Sequence, residues 1–330
     1  MERKREKTGI FITGLAMGLA EVIPGVSGGT VAFIAGIYER LIRAFHQLRP
    51  EILKGILRNN IRAVWADIDG LFLVILFLGM GVGILSFANG VSYLLHHHPV
   101  FIWSFFFGLV IASCVIVSRQ ISNFSGSVIS SASAGLLIGI TITNLIPLQL
   151  EPTPLTLFVG GSIAVCAWIL PGMSGSFILL ILGLYAYVID AVKAFDLASL
   201  IWLGCGCVVG LMAFSQILAR LFNSYKDNTL ALLTGFMAGS LFKLWPWKFT
   251  QSYQLKRDGS QIPLEEGLVF PWEYEAVTGL DPQTGWAVGI ILSGIVLVTL
   301  IDMFWVLGQK QGIEEGQEKE KEGTDRDRVE

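Results

Sequence analysis

The chain has 330 residues, of which 53% are apolar and only 15% charged, and its mean hydropathy is +0.64. Soluble domains carry about 25% charged residues, so this composition excludes an ordinary soluble protein and indicates one that spans a membrane. The formal net charge of −3 resides in the tail at 308–330, whose eight acidic and five basic residues predict a disordered, solvated segment.

The first predicted element, residues 8–45, is an apolar stretch interrupted by a polar turn. The turn reads EVIPGVSGGT and runs from Glu21 to Thr30. After Thr30, only about nine residues precede Glu39 and Arg40, which is about 14 Å of helix against a hydrocarbon core of about 30 Å. We therefore predict a re-entrant hairpin. Its turn is tolerable at membrane depth only if protein or a water-filled cavity surrounds it.

The elements after this hairpin recur in the second half of the chain. PGVSGGTVAFIAGIYERLIRAF, from Pro24, aligns without gaps with PGMSGSFILLILGLYAYVIDAV, from Pro171, at an offset of 147 residues. Self-similarity at one long period indicates a duplication, so we predict a first repeat at 1–149 and a second at 150–307. The first repeat has spans at 70–89, 99–118 and 128–148, and the second has a re-entrant hairpin at 155–192 and spans at 197–219, 228–246 and 286–307.

The number of crossings predicts how the repeats are oriented. A returning hairpin plus three spans carries the chain across the membrane, so the second repeat starts on the opposite face. Placing both termini in the cytoplasm puts 18 of the 23 Lys and Arg residues in cytoplasmic segments, as the positive-inside bias expects. We therefore predict an all-α multi-pass membrane protein with two inverted-topology repeats, each a re-entrant helical hairpin plus three transmembrane helices.

Two connecting segments have their own character. Residues 50–66 form an amphipathic pattern, which predicts either an interfacial helix on the inner leaflet or a connecting helix packed on protein. Residues 247–284 are too polar to insert and are predicted to form a long outer loop over the outer mouth.

The polar turns have the chemistry of an anion site. Each arm after a turn begins a helix whose first amides are unpaired and whose dipole adds positive charge there. Glycines allow close approach of a ligand, and hydroxyls add donors, so two opposed turns suit a phosphate. Alternatively, these small residues only let helices pack closely. The candidate substrate-binding residues are Gly25, Ser27, Gly28, Gly29, Thr30, Gly172, Ser174, Gly175, Ser176 and Lys243, of which Lys243 could instead snorkel to the interface.

Glu21 is an ionisable residue inside the first hairpin, and its counterpart in the second repeat is Trp168. A charge at that depth is costly and points to function. Glu21 could carry a coupling proton, coordinate a cation such as sodium, or brace the turn by accepting hydrogen bonds from its amides. We take it as the candidate coupling residue.

Three stretches, GLAMGLAEVIPGVSGGTVAFIAGIYERLI, LPGMSGSFILLILGLY and GFMAGSLFKLWPW, resemble the bacterial PopT-type polyprenyl-phosphate translocases. The resemblance runs from about residue 9 to 307, apart from much of 248–284, and that family more often has aspartate at the position of Glu21. It implies a flippase in the bacterial cytoplasmic membrane that returns undecaprenyl phosphate from the outer to the inner leaflet for reuse in cell-envelope glycan synthesis. With Glu21 as the candidate coupling residue, protons or sodium ions are the possible coupling ions, and we expect no covalent catalysis, cofactor, metal site or nucleic-acid partner.

Two other functions fit parts of the sequence. A small-anion channel or exchanger can also use opposed helix N-termini. An intramembrane serine protease would match GVSG and GMSG, but its serine needs a histidine base within hydrogen-bond reach. The only histidines are His46 and the run at 96–98, all at span ends or in loops, which disfavours the protease.

Overall fold

The computed structural model describes residues 2–22, 27–48, 61–145, 148–255 and 261–303. The predicted tail at 308–330 and most of the predicted amphipathic segment at 50–66 lie outside these ranges. The first half contains α1 (Glu2–Glu21), α2 (Gly28–Ile34), α3 (Tyr38–His46), α4 (Ile61–Asp67), α5 (Gly70–His97), α6 (Pro99–Ser118) and α7 (Gly126–Thr143). The second half contains α8 (Pro154–Ile169), α9 (Gly175–Ile181), α10 (Tyr185–Lys193), α11 (Leu197–Ser224), α12 (Lys226–Leu244), β1 (Lys248–Leu255), β2 (Gln261–Leu268), α13 (Pro271–Thr278) and α14 (Thr284–Met303).

The chain is a multi-pass membrane protein. Within the described part of the chain, five helices are long and apolar enough to cross a membrane, namely α5, α6, α7, α11 and α14. They correspond to five of the six predicted spans. The sixth, 228–246, corresponds to α12, which fails that test because Lys226, Asp227 and Lys243 lower the hydropathy of a 19-residue helix. Its crossing of the membrane remains a prediction.

The predicted outer loop at 247–284 contains a β-hairpin and a short helix, while the described chain is otherwise mostly helical, consistent with the predicted all-α multi-pass membrane protein. Strands β1 and β2 pair antiparallel, with Lys248 opposite Leu268 and Phe249 opposite Gly267. The β1 sequence KFTQSYQL combines aromatic residues and threonine, which favour strands, with too much polarity for a membrane helix. A hairpin lets such a segment satisfy its backbone hydrogen bonds internally.

The arm that follows each polar turn is broken into two short helices. α2 and α9 begin and end at residues 147 positions apart, and so do α3 and α10. The breaks contain Gly36 and Gly183, whose φ angles of 68° and 73° are left-handed and favour glycine. α9 and α10 are bent by 113°. The sequence analysis did not predict this break within each return arm, and the re-entrant depth and the inverted orientation remain predictions.

Four helix pairs pack through glycines. α1 packs on α5, α8 on α11, and α7 on α12, while Gly108 of α6 faces a carbonyl of α14. In each pair a glycine lies against the backbone of the neighbouring helix, as is common for helices in lipid, where small residues permit close contact. The second predicted span of each half thus packs against the third predicted span of the other half, α6 against α14 and α12 against α7. The two halves are therefore in extensive contact.

Equivalent contacts join the end of each broken arm to the next long helix. Arg40 Nε donates to Asp69 Oδ2 at 2.6 Å, and Tyr187, 147 residues later, donates from its hydroxyl to Asp196 Oδ2 at 3.5 Å. Asp69 and Asp196 directly precede α5 and α11, respectively. Arg40 also pairs with Glu6 of α1 at 2.9 Å. The first half uses an ion pair where the second uses a neutral hydroxyl.

Candidate functional site where the two turns meet

The two polar turns are in direct contact. Thr30 Oγ1 accepts a hydrogen bond from the amide of Gly172 at 2.8 Å. Ser27 Oγ lies 3.2 Å from the carbonyl oxygens of both Trp168 and Leu170, to which it can donate. These hydrogen bonds connect segments more than 140 residues apart in sequence. The structure thus brings the two sets of predicted site residues together.

The amides of Gly28, Gly29 and Thr30 at the start of α2 are already occupied by groups of the chain itself. The Gly28 amide donates to Glu21 Oε1 at 2.7 Å, and the Gly29 amide donates to Ser27 Oγ at 3.0 Å. The Thr30 amide donates to the backbone oxygen of Ser27 at 3.0 Å. Glu21 therefore occupies the place that a bound anion would take at the start of α2. This is the bracing contact that the sequence offered as one of three roles for Glu21.

Glu21 and its repeat counterpart Trp168 are neighbours in space. The Trp168 side chain lies near the Glu21 carboxyl, and the Trp168 carbonyl oxygen lies 3.2 Å from Ser27 Oγ of the same turn. Its ring also packs against Phe45 and Phe77, with centroid distances of 6.2 and 6.1 Å. Sequence reasoning noted Trp168 only as the residue that breaks the symmetry of the repeat. The difference between Glu21 and Trp168 at equivalent positions could have indicated that the first half supplies a carboxyl and the second half a side chain that lies beside it.

The second turn lacks an equivalent of Glu21 because Trp168 stands in that position. Ser174 Oγ lies 2.7 Å from Ser176 Oγ, and Ser174 makes no side-chain cap to α9. Within the ranges that the structure covers, no acceptor is within hydrogen-bonding distance of the amides of Gly175 and Ser176. One of these hydroxyls donates to the other, so the second hydroxyl and the two amides can donate hydrogen bonds to an anion.

Helix α12 packs directly on the second turn. Gly172 has a φ of +89°, and a Cβ there would lie 2.9 Å from Met237 Cα and 3.1 Å from Ser240 Oγ. Lys243 Nζ lies 5.3 Å from the ring centroid of Phe177, in the first turn of α9. Lys243 is half-buried, and its position near α9 puts a positive charge beside the second turn. Sequence reasoning missed Met237 and Ser240, although both lie in GFMAGSLFKLWPW.

The other glycines of the turns face protein in this structure. A Cβ on Gly28 would lie 2.9 Å from Glu21 Oε1, one on Gly29 would lie 2.6 Å from the Ile169 oxygen, and one on Gly175 would lie 2.7 Å from the Ala164 oxygen. These glycines therefore let segments of the chain approach each other, which is the packing alternative. Gly25, the remaining predicted glycine, lies outside the described residues.

The junction is closed to solvent. Ser27 and Ser174 are 0% exposed and Thr30 is 1% exposed, whereas Glu21 and Ser176 are half-buried. A ligand that touches the buried hydroxyls must therefore displace protein atoms, so binding at this site requires the turns or their neighbours to move.

Comparison with known proteins identifies the family. The undecaprenyl phosphate translocase-like family matches residues 17–262. A polyprenyl-phosphate transporter of Vibrio cholerae is 44% identical over 294 residues, which cover 89% of this chain and 96% of the relative. A polyprenyl-phosphate transporter of Staphylococcus aureus is 33% identical over 257 residues, which cover 72% of this chain and 85% of the relative. No solved structure matches the chain significantly. The resemblance seen in the sequence is confirmed, and the chain belongs to the undecaprenyl phosphate translocase-like family.

Proposed function

We propose that this protein moves undecaprenyl phosphate from the outer to the inner leaflet of the bacterial cytoplasmic membrane and so returns the lipid carrier for reuse in cell-envelope glycan synthesis. Its relatives are named as polyprenyl-phosphate transporters. The observation that carries the proposal is the contact between the two broken helical arms, through Thr30 and Gly172. Discontinuous helices that meet at an interface between repeats are typical of the binding sites of secondary transporters.

The phosphate is proposed to bind at the second turn. Ser174 and Ser176 offer hydroxyls, the amides of Gly175 and Ser176 offer backbone donors, and Lys243 adds positive charge nearby. Charged and backbone donors together suit the several acceptor oxygens of a phosphate monoester. The first turn is proposed to complete the site once it opens, through Gly25, Ser27, Gly28, Gly29 and Thr30, with Gly172 holding the two turns together.

Glu21 is proposed to couple the movement to an ion gradient. Its carboxylate and a phosphate are both anions, so they compete for the amide of Gly28. Protonation, or binding of a sodium ion, would weaken the hold of Glu21 on that amide and free the first turn. The ion that enters at Glu21 would thereby set when the phosphate can be bound and when it is released.

Reconstitution into liposomes tests the proposed function. Labelled undecaprenyl phosphate is placed in both leaflets, and a membrane-impermeant phosphatase measures the fraction that can reach the outer surface. The purified protein should exchange the protected pool within the assay time, whereas empty liposomes should not. Halide flux is measured in the same preparation. Halide flux without lipid exchange would favour the small-anion channel and overturn the proposal.

A further inference from the structure

Three aromatic rings form a cluster between the polar junction and the outside of the helix bundle. The centroids of Phe45, Phe77 and Trp168 lie 6.1 to 6.4 Å apart, and Phe77 and Trp168 are stacked with an interplanar angle of 20°. They come from α3, α5 and α8. Because α5 packs mainly on α1 and α8 mainly on α11, these rings bridge the space between α5 and α8.

The cluster runs from the candidate site to the surface. The Trp168 carbonyl oxygen lies 3.2 Å from Ser27 Oγ in the first turn, and a Cβ on Gly175 would lie 3.3 Å from Trp168 Cβ, so Trp168 touches both turns. Phe77 is 39% exposed on a membrane-length helix, whereas Phe45 is 2% exposed and forms the buried part of the cluster. Apolar side chains therefore extend from the second turn, past Trp168 and Phe77, to the surface of the protein that faces the membrane hydrocarbon.

We propose that Phe77 and Trp168 line the lateral exit through which the prenyl chain leaves the phosphate site, with the first isoprene units packed against their rings. This inference rests on the proposed function. A bound lipid phosphate must pass its chain from a polar site to the hydrocarbon. Because lipid tails are themselves apolar, an apolar wall holds the chain through van der Waals packing and not through removal of the chain from water. Aromatic rings supply a large apolar area for such contacts.

The repeat indicates that this exit lies on one side only. The counterpart of Phe45 is Val192 and that of Trp168 is Glu21, so the second half does not reproduce the cluster. The chain of the lipid would thus leave between α5 and α8 and not at the equivalent place in the other half. Phe77 would contact the prenyl chain, whereas the residues of the second turn would bind the phosphate head group.

The test compares two phenylalanines of α5. Phe77→Ala opens the proposed exit, and Phe87→Ala is the matched control, because Phe87 is 38% exposed on the same helix and makes no ring contact in the described part of the chain. Binding of undecaprenyl phosphate and of methyl phosphate, which has the head group without the chain, is measured on purified protein. We expect Phe77→Ala to weaken undecaprenyl phosphate binding about tenfold, the equivalent of about 1.4 kcal/mol, and to leave methyl phosphate binding unchanged.

Three results would overturn the proposal that Phe77 and Trp168 line the exit of the prenyl chain. Equal effects of Phe77→Ala and Phe87→Ala would remove any special role for the cluster. Equal weakening of both ligands by Phe77→Ala would make Phe77 a support of the head-group site. The third result concerns the wild-type protein alone. If it binds methyl phosphate but neither binds nor moves undecaprenyl phosphate, the proposed function itself is overturned. Phe77→Leu, which keeps a large apolar side chain, should restore part of the affinity, and unchanged methyl phosphate binding by Phe77→Ala shows that the alanine variant is folded.

Discussion

Thr30 and Gly172 are hydrogen-bonded across the centre of the protein, with the Gly172 amide donating to Thr30 Oγ1 at 2.8 Å. Both residues are buried, and each lies in one of the two related turns. Gly172 has a left-handed φ of +89°, so its amide is aimed by a backbone conformation that other residues rarely adopt. This hydrogen bond links the two turns directly.

Replacing Thr30 by valine should separate the turns. Valine has nearly the same shape but no acceptor, so the buried amide of Gly172 would lose its partner at a cost of about 1–3 kcal/mol. We expect a lower melting temperature in detergent and slower lipid exchange. Thr30→Ser keeps the hydroxyl and should lie near wild type in both measurements. If Thr30→Val matched Thr30→Ser, this hydrogen bond would not set the geometry of the site.

A large side chain at Gly28 should displace the carboxyl of Glu21. A Cβ on Gly28 would already lie 2.9 Å from Glu21 Oε1, so Gly28→Leu must move the carboxyl off the turn. We expect loss of lipid exchange with a normal amount of protein in the membrane. Gly289→Leu is the control, since nothing lies within 4 Å of a Cβ there, whereas Gly294 faces the Phe105 oxygen and is unsuitable. Equal loss of exchange at Gly28 and Gly289 would contradict the role of this contact.

Glu21→Gln should separate binding from coupling. Glutamine keeps the shape and one acceptor oxygen for the Gly28 amide, but it cannot release a proton and has no negative charge for a cation. The variant should therefore bind undecaprenyl phosphate and fail to respond to an imposed gradient, and Glu21→Asp should keep part of the response. Lipid exchange is measured with proton and sodium gradients imposed separately. A wild-type response of Glu21→Gln to both gradients would exclude Glu21 as the coupling residue.

The repeat made much of the fold predictable. An offset of 147 residues predicted related turns at Ser27 and Ser174, and their short helices begin and end at equivalent positions. Composition located five spans because a membrane core demands about 20 apolar residues. The break at Gly36 and Gly183 was missed, although both glycines align in the repeat. It depends on a left-handed backbone conformation, which hydropathy does not reveal.

The sequence predicted which residues form the site but not which of them are in contact with each other. Sequence chemistry selected the hydroxyls, glycines and Glu21 of the turns. It could not show that Glu21 occupies the amide of Gly28, since that contact depends on how α1 returns against α2. The pairing of Glu21 with Trp168 joins the two halves, and only tertiary packing brings them together. The β-hairpin after α12 was missed because the prediction for this segment used only its polarity, although the aromatic residues and threonine of β1 favour a strand.

The exposure of undecaprenyl phosphate at the surface of living cells tests the central claim most directly. It is measured with a membrane-impermeant phosphatase in cells that contain no other transporter of this lipid and carry the protein, no protein, or the Ser174→Ala/Ser176→Ala double variant. The account predicts more exposed lipid without the protein, restoration by wild type, and no restoration by the double variant at equal membrane abundance. Unchanged exposure when the protein is absent would contradict it.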